Sequence, residues 1–211
     1  MKMVSKHYTS SDEIKNSRIY NEFLQIGFDD GWSRNDKWDN FTMLMDICRF
    51  TDTPIQGTTV LDVGCGTGDL VQFLANKDIK DYVGIDIFEP AVAKAREKFP
   101  DAKFIVKDFL TYRFRKRFDF VFCSGALTTN LESNNYDMIT SAIGKMWHLA
   151  EKGVSFNFLF GDSSGGNTLF LYDPVRVIAI CQTQAPEATI ATITTSAGFG
   201  KEIQEMHVFL F

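Results

Sequence analysis

The sequence predicts an α/β fold in which a mostly parallel β-sheet carries helices on both faces. Short apolar runs typical of buried strands alternate with segments of helical periodicity from Thr58 to Phe211. The first run passes directly into a glycine-rich turn and then into a helix. By the usual size of domains, the 211 residues form a single domain. We divide it into an N-terminal helical segment over residues 1–56, expected to act as a lid, and a core over residues 57–211.

Two helices are predicted in the N-terminal segment. Apolar side chains recur at loosely helical spacing from Ser11 to Phe28, after a Ser-Ser-Asp-Glu start that is typical of a helix cap. The polar stretch Asp29 to Asp36 interrupts this pattern, and a second helix is predicted from Lys37 to Phe50.

The core is predicted to contain seven strands and four helices. The predicted strands are Thr59–Val63, Tyr82–Ile87, Lys103–Lys107, Phe118–Cys123, Val154–Phe160, Ala188–Thr195 and Gln204–Phe211. The predicted helices are Asp69–Asn76, Pro90–Phe99, Tyr136–Ala150 and Asp173–Thr183. Only Phe109 to Arg117 joins the third and fourth strands. Because a full helical crossover needs about a dozen residues, we expect a turn there instead of a helix.

Charge and composition disfavour several classes of partner. The net charge is −5, and the densest basic stretch, Arg113 to Arg117, fits a solvated turn, so we expect no nucleic acid and no anionic membrane as partner. No apolar run reaches the roughly 18 residues that span a bilayer. The cysteines lack the spacing of a metal site or disulfide framework, which predicts no metal and reduced thiols in a cytoplasmic protein. They are Cys48, Cys65, Cys123 and Cys181.

The turn after the first strand, Gly64 to Gly68, has the character of a nucleotide-binding turn. Glycines allow the backbone to approach a ligand closely, and the following helix begins with free N–H groups and a positive dipole end. A short glycine pattern is by itself weak evidence, because ordinary strand–helix turns are also rich in glycine.

Three further strand ends strengthen this interpretation. Asp86 ends the second strand 24 residues after Asp62 (86 − 62), where a carboxylate can accept hydrogen bonds from ribose hydroxyls or cap the next helix. Asp108 and Phe109 end the third strand, where they suit an adenine amino group and ring. The fourth strand ends in small residues, which leave room for a ligand across the strand tips.

These motifs resemble those of class I, Rossmann-like, S-adenosylmethionine-dependent methyltransferases. The segment Asp62 to Gly68 resembles motif I, and Gly84 to Asp86 resembles the ribose-binding motif of that family. Lys107 to Phe109 resembles the adenine-contacting strand end, and Phe118 to Val121 the strand of the fourth motif. The resemblance implies strand order 3-2-1-4-5-7-6 with the last strand antiparallel. The last predicted strand ends with the chain, so we also expect that a few residues are missing.

The resemblance also implies the positions of S-adenosylmethionine. The glycine turn would pass under its methionine part, Asp62 would orient the turn or meet the amino group, and Asp86 would hold the ribose. The implied cofactor-binding residues are Asp62, Gly64, Cys65, Gly66, Thr67, Gly68, Asp86, Ile87, Asp108, Phe109, Ser124 and Gly125. Trp32 and Arg34 would close over the cofactor, and Arg34 would pair with its carboxylate.

The acceptor is predicted only as a class, a small molecule. Ser124 to Leu127 departs from the Asn/Asp-Pro-Pro-Tyr/Phe motif of methyltransferases acting on base amines or glutamine amide. No catalytic residue is assigned. A missing general base does not argue against catalysis, because placement alone accelerates an in-line displacement. Candidates to line the acceptor pocket are Tyr20, Trp38, Asn130, Asp162, Tyr172 and Glu205.

Two alternatives remain open. A nicotinamide dehydrogenase shares the glycine turn and the acid of the second strand, but it favours the pattern G-x-G-x-x-G, and position 69 is Asp here. A non-catalytic S-adenosylmethionine-binding module or partner subunit would keep the fold without turnover. Neither the oligomeric state nor the pathway follows from the sequence.

Overall fold

The structure is a computed structural model that describes residues 34–161, 168–197 and 203–211, together with Arg18. Its helices are α1 (Arg34–Leu44), α2 (Asp46–Phe50), α3 (Asp69–Leu74), α4 (Glu89–Lys98), α5 (Asn135–Leu149) and α6 (Pro174–Gln184). Its strands are β1 (Thr59–Val63), β2 (Asp81–Asp86), β3 (Lys103–Val106), β4 (Phe118–Cys123), β5 (Ala150–Gly161), β6 (Ile190–Ser196) and β7 (Ile203–Leu210). Along these ranges, no helix has both the length and the apolar character needed to cross a bilayer.

The seven strands form one sheet in the order β3-β2-β1-β4-β5-β7-β6. The pairs from β3 to β5 are parallel, whereas β7 is antiparallel to both β5 and β6. The predicted fold class and strand order are therefore confirmed. All parallel strands, and β6 with them, end at one edge of the sheet, which is called the carboxyl edge below.

Three differences from the predicted elements stand out, whereas the other predicted ends in the described ranges agree with the structure within two residues. The predicted loop up to Asp36 is wrong at its end, because α1 already begins at Arg34. The predicted second helix is divided at Met45 into α1 and α2. The strand β5 begins at Ala150, four residues before the prediction, because Ala150 pairs with Phe118 although the intervening Glu151 and Lys152 are polar and exposed. The connection from Phe109 to Arg117 contains no helix, as predicted.

Two apolar clusters, one on each face of the sheet, form the core. Phenylalanines contribute heavily, and six of those in the described ranges are almost fully buried: Phe118, Phe120, Phe122, Phe156, Phe158 and Phe209. The register of β4 against β5 shifts between Phe118 and Phe120. Because such a shift reverses which face a side chain occupies, Phe118 joins one cluster and Phe120 the other.

Candidate functional site

The glycine turn links β1 to α3 at the carboxyl edge of the sheet. The N–H groups of Gly64 and Cys65 both donate to the carbonyl of Ile85, at 2.8 and 3.2 Å. Gly64 has φ +76°, and a Cβ there would lie 2.2 Å from the Cβ of Ala126. The turn and the loop after β4 therefore meet at a position that only glycine fits. Helix α3 has six residues, so its macrodipole is smaller than the predicted helix would provide.

Asp86 holds this turn in place. Its Oδ2 accepts from the N–H of Gly66 at 3.0 Å, and its Oδ1 accepts from the N–H of Phe88 at 2.8 Å. The carboxylate therefore joins the turn to the start of α4. A carboxylate has about four acceptor positions, so this residue type can accept from ribose hydroxyls as well as from backbone N–H groups.

A cleft of about 760 Å³, partly open to solvent, lies beside the turn and is called the first cleft. It is lined by the ends of β1, β2 and β3, by the loop after β4 and by α5. Asp108 accepts from the N–H of Leu110 at 2.8 Å, which shapes the β3 end of the cleft. Of the predicted cofactor residues, this cleft contains Gly64, Asp86, Ile87, Asp108 and Phe109. Its largely apolar lining suits an aromatic base.

Lys145 on α5 holds the chain after β3, a contact that the sequence did not reveal. Its ammonium donates to the carbonyls of Phe109, Leu110 and Tyr112 at 2.5, 3.1 and 2.5 Å. It also lies 5.0 Å from the centre of the Phe109 ring. Burial lowers the pKa of Lys145, and the charge of Asp108 acts in the opposite direction. The side chain thus replaces the missing crossover helix as the support for this wall.

A second cleft of about 400 Å³ lies on the other side of Gly64. The predicted cofactor residues that line it are Asp62, Gly64, Cys65, Ser124 and Gly125. Lys37 and Asn40 of α1 complete it, and Lys37 pairs with Asp69 at 2.6 Å. Because Gly64 lines both clefts, they adjoin across the turn. The remaining predicted residues, Gly66, Thr67 and Gly68, lie in the turn and do not line these two clefts.

Asp62 is a buried carboxyl in the second cleft, with 3% of its surface exposed. The hydroxyl of Tyr82 donates to its Oδ2 at 2.6 Å. Burial raises the pKa of Asp62 to about 7; the Tyr82 hydrogen bond lowers it, and the charges of Asp86 and Asp69 raise it. An ammonium group beside this carboxyl would favour its ionised form. Among the hydrogen bonds described, Asp86 and not Asp62 holds the N–H of Gly66.

Cys65 lies in the turn without reactive character. Its side chain is buried, and burial raises its pKa well above the usual value, with the charges of Asp62 and Asp86 acting in the same direction. Since the thiolate is the reactive form, this residue lines the cleft as a small apolar group.

A third cavity of about 520 Å³ lies between α1 and the ends of β6 and β7. Its lining includes Asn40, which also lines the second cleft, and Glu205, which is 1% exposed. Glu205 accepts hydrogen bonds from Asn40 and from Asn157, and Asn157 accepts one from the N–H of Gly125. Neither asparagine was predicted from the sequence, because only the folded topology brings these strands together.

The other predicted acceptor-pocket residues lie in different surroundings. Trp38 packs on Phe73, with ring centres 5.1 Å apart. Tyr172 is buried, and its hydroxyl donates to the carbonyl of Leu127 at 3.0 Å. The backbone N–H of Asn130 donates to the carbonyl of Thr168 at 2.8 Å. Tyr20, Trp32, Asp162 and the side chain of Arg34 lie outside the described part of the chain, so their roles stay predictions.

Comparison with known proteins gives a family match over the part of the sequence that runs from β1 to the start of β5. A family model described as a methyltransferase domain matches residues 60–153. The trans-aconitate 2-methyltransferase of Variovorax paradoxus is 38% identical over 58 residues, which are 27% of this chain and 22% of that protein. The match thus spans about a fifth of that relative's length.

Solved structures extend the likeness over most of the chain. The magnesium protoporphyrin IX methyltransferase of Synechocystis, with bound S-adenosylhomocysteine, has a TM-score of 0.68 at 19% identity and covers 92% of this chain and 98% of its own. The cyclase SpnF has a TM-score of 0.64 at 13% identity over 81% of this chain and 79% of its own. At these identities the likeness establishes the fold. Together with the family match, it confirms the predicted resemblance to class I methyltransferases.

Proposed function

We propose that this chain, which carries a class I methyltransferase domain, is an S-adenosylmethionine-dependent methyltransferase that acts on a small-molecule acceptor. The observation that carries the proposal is the pair of clefts that adjoin at Gly64. One is apolar and flanked by Asp86 and Asp108, as an adenosine requires. The other contains the buried carboxyl of Asp62, as an amino acid ammonium requires.

The residues present fit this cofactor. The first cleft would receive the adenine between Ile87, Asp108 and Phe109, and Asp86 would accept from the ribose hydroxyls. The second cleft would receive the methionine part, with Asp62 facing its ammonium. Bound across these two clefts, the cofactor would supply an activated methyl group for transfer to a nucleophilic atom of the acceptor.

The protein's main contribution in this proposal is placement. In-line transfer needs the acceptor atom behind the methyl carbon, and holding two reactants in that geometry lowers the barrier by roughly 7–11 kcal/mol in favourable cases. We infer that residues 1–56 act as the lid that helps to hold them. The contacts of α1 with the site support this role, since Lys37 pairs with Asp69 and Asn40 with Glu205.

The proposal also includes a cytoplasmic location and a small-molecule partner. The four cysteines of the chain are all unpaired thiols, which supports a reducing, cytoplasmic location. The acidic net charge of −5 supports a small-molecule acceptor over nucleic acid or an anionic membrane.

A role without methyl transfer, such as a non-catalytic S-adenosylmethionine-binding module or partner subunit, is the second candidate. The observation that favours it is the likeness to SpnF, a cyclase with this fold, because the fold alone then does not establish methyl transfer. The two candidates separate when calorimetric titration with S-adenosylhomocysteine is followed by mass-spectrometric detection of methyl transfer from S-adenosylmethionine to a broad acceptor panel. Binding with turnover supports the methyltransferase, and binding without turnover supports the second candidate. Binding of NAD without binding of S-adenosylhomocysteine would refute both.

A further inference from the structure

A chain of hydrogen bonds crosses the sheet from the loop after β4 to α1. The N–H of Gly125 donates to Oδ1 of Asn157 on β5 at 2.7 Å, and Nδ2 of Asn157 donates to Oε1 of Glu205 on β7 at 2.6 Å. The amide of Asn40 on α1 donates to the same Oε1 at 3.3 Å. Asn157 and Glu205 are both almost fully buried. Leaving a buried polar group unpaired is costly, so these links act as a unit.

Glu205 determines which way the Asn157 amide points. The Oε1 atom of Glu205 accepts from Asn157, which requires Asn157 to turn its NH₂ group toward Glu205. Its carbonyl oxygen then faces the N–H of Gly125. The reversed amide would place its NH₂ against that N–H, donor against donor. Glu205 therefore acts on the loop after β4 without touching it.

Both ends of this chain lie at the second cleft. Gly125 and Asn40 both line that cleft, Gly125 in the loop after β4 and Asn40 on α1. Gly125 has φ +70°, and the adjoining Ala126 lies over Gly64, where the two clefts meet. The hydrogen bonds thus set the spacing between two walls of the cleft and the glycine turn.

We propose that Glu205 is a positioning residue, which holds the loop after β4 and helix α1 against the methionine end of S-adenosylmethionine. The inference rests on the proposed function, because it takes the second cleft as the methionine site. In this proposal Glu205 acts on the second cleft through its hydrogen bonds with Asn157 and Asn40, and it also lines the third cavity.

Four variants of the full chain test this role. Asn157→Ala and Glu205→Ala each remove hydrogen bonds from the series that links Gly125 to Asn40. Their double variant tests whether the two residues act together. Glu205→Gln keeps an oxygen that can accept from both asparagines. Ser155→Ala is the matched control, since Ser155 is buried on the same strand and its hydroxyl has no described partner. The readouts are the Kd of S-adenosylhomocysteine by calorimetry, the melting temperature, and exchange of the Gly125 amide in the ligand-free protein.

Each single alanine variant is expected to weaken binding by about tenfold, the loss typical of one good hydrogen bond to a charged group. The double variant should bind S-adenosylhomocysteine only slightly more weakly than either single variant, because the two substitutions disrupt the same set of hydrogen bonds. Glu205→Gln should recover most of the affinity, and Ser155→Ala should match wild type. A purely structural role predicts a lower melting temperature with a Kd within threefold of wild type, which would overturn the proposal, as would fully additive losses.

Failure of the proposed function gives a different result. Wild-type protein that does not bind S-adenosylhomocysteine would overturn the methyltransferase proposal itself. The hydrogen-bond chain is tested independently by the Gly125 amide, which should exchange faster in Asn157→Ala and Glu205→Ala but not in Ser155→Ala. Equal exchange in all four proteins would overturn the link from Glu205 to the loop.

Discussion

The substitution Asp62→Asn is expected to stabilise the ligand-free protein while weakening cofactor binding. The Asp62 carboxyl is 3% exposed, and burial raises its pKa from 3.8 to about 7. A raised pKa means that the folded state keeps its proton over a pH range in which the unfolded state has lost it. The stability contributed by Asp62 is therefore present below pH 3.8 and is lost as pH rises toward 7.

The size of this effect follows from the pKa difference. About three pH units at 1.36 kcal/mol each correspond to a cost of about 4 kcal/mol above pH 7. Between pH 5 and pH 8.5 the change is about 3 kcal/mol, because the unfolded carboxyl is already ionised at pH 5. Asparagine carries no such cost, and its oxygen can still accept from Tyr82. Its buried NH₂ group costs about 1–3 kcal/mol, but that penalty does not depend on pH.

Urea denaturation of wild type and Asp62→Asn at pH 5 and pH 8.5 measures this difference. The stability of the variant relative to wild type should rise by about 3 kcal/mol between the two pH values. Asp101→Asn, at an exposed position, is the control substitution. In the same proteins, loss of the carboxylate facing the cofactor ammonium should raise the Kd of S-adenosylhomocysteine by about tenfold or more. A stability difference that is equal at both pH values would refute the burial argument.

Three further predictions concern the turn, the ribose site and a buried histidine. Gly64→Ala should destabilise the protein by about 3 kcal/mol, because the new side chain combines a left-handed φ with a clash against Ala126. The control Gly57→Ala, with φ +70° and open space around it, should cost only about 1 kcal/mol. Equal losses of stability in urea denaturation would refute the clash with Ala126. Asp86→Ala should weaken S-adenosylhomocysteine binding by roughly tenfold to over a hundredfold, and Asp86→Asn by less; a calorimetric change below threefold would exclude Asp86 from the site. Burial lowers the pKa of His207 to about 4, so the folded state binds fewer protons than the unfolded state between pH 6.5 and 4. The stability of wild type relative to His207→Gln should therefore fall by up to about 3 kcal/mol as pH decreases through that range, and a difference between the two proteins that does not change with pH would contradict the assignment.

Much of the fold was predictable because its signals are local. The alternation of strands and helices, the glycine turn and the short connection after Phe109 each occupy a few neighbouring residues. Contacts between distant residues left no comparable signal: Lys145 lies 36 positions after Phe109, and Glu205 lies 48 after Asn157. The early start of β5 at Ala150 was missed because the exposed, polar Glu151 and Lys152 follow Ala150 and interrupt the apolar run that marks the strand.

The site was predictable to the extent that strand ends determine it. Asp62, Asp86 and Asp108 follow from the rule that parallel strands end at one edge, and the structure brings all three to the clefts there. What the rule does not provide is which group each carboxylate contacts. Asp86 rather than Asp62 holds the turn, because only its position at the end of β2 places it against the N–H of Gly66.

The position of β7 has a consequence for how the chain acquires its structure. β7 follows β6 in the chain but lies between β6 and β5 in the sheet, so β6 pairs only with β7. During synthesis, β6 emerges from the ribosome before the strand that attaches it to the sheet. Until β7 arrives, one edge of β5 also stays open, and open edges promote association between chains. We expect the β6–β7 hairpin to form first as a local unit and then to dock on β5, which makes closure of this edge a late folding event.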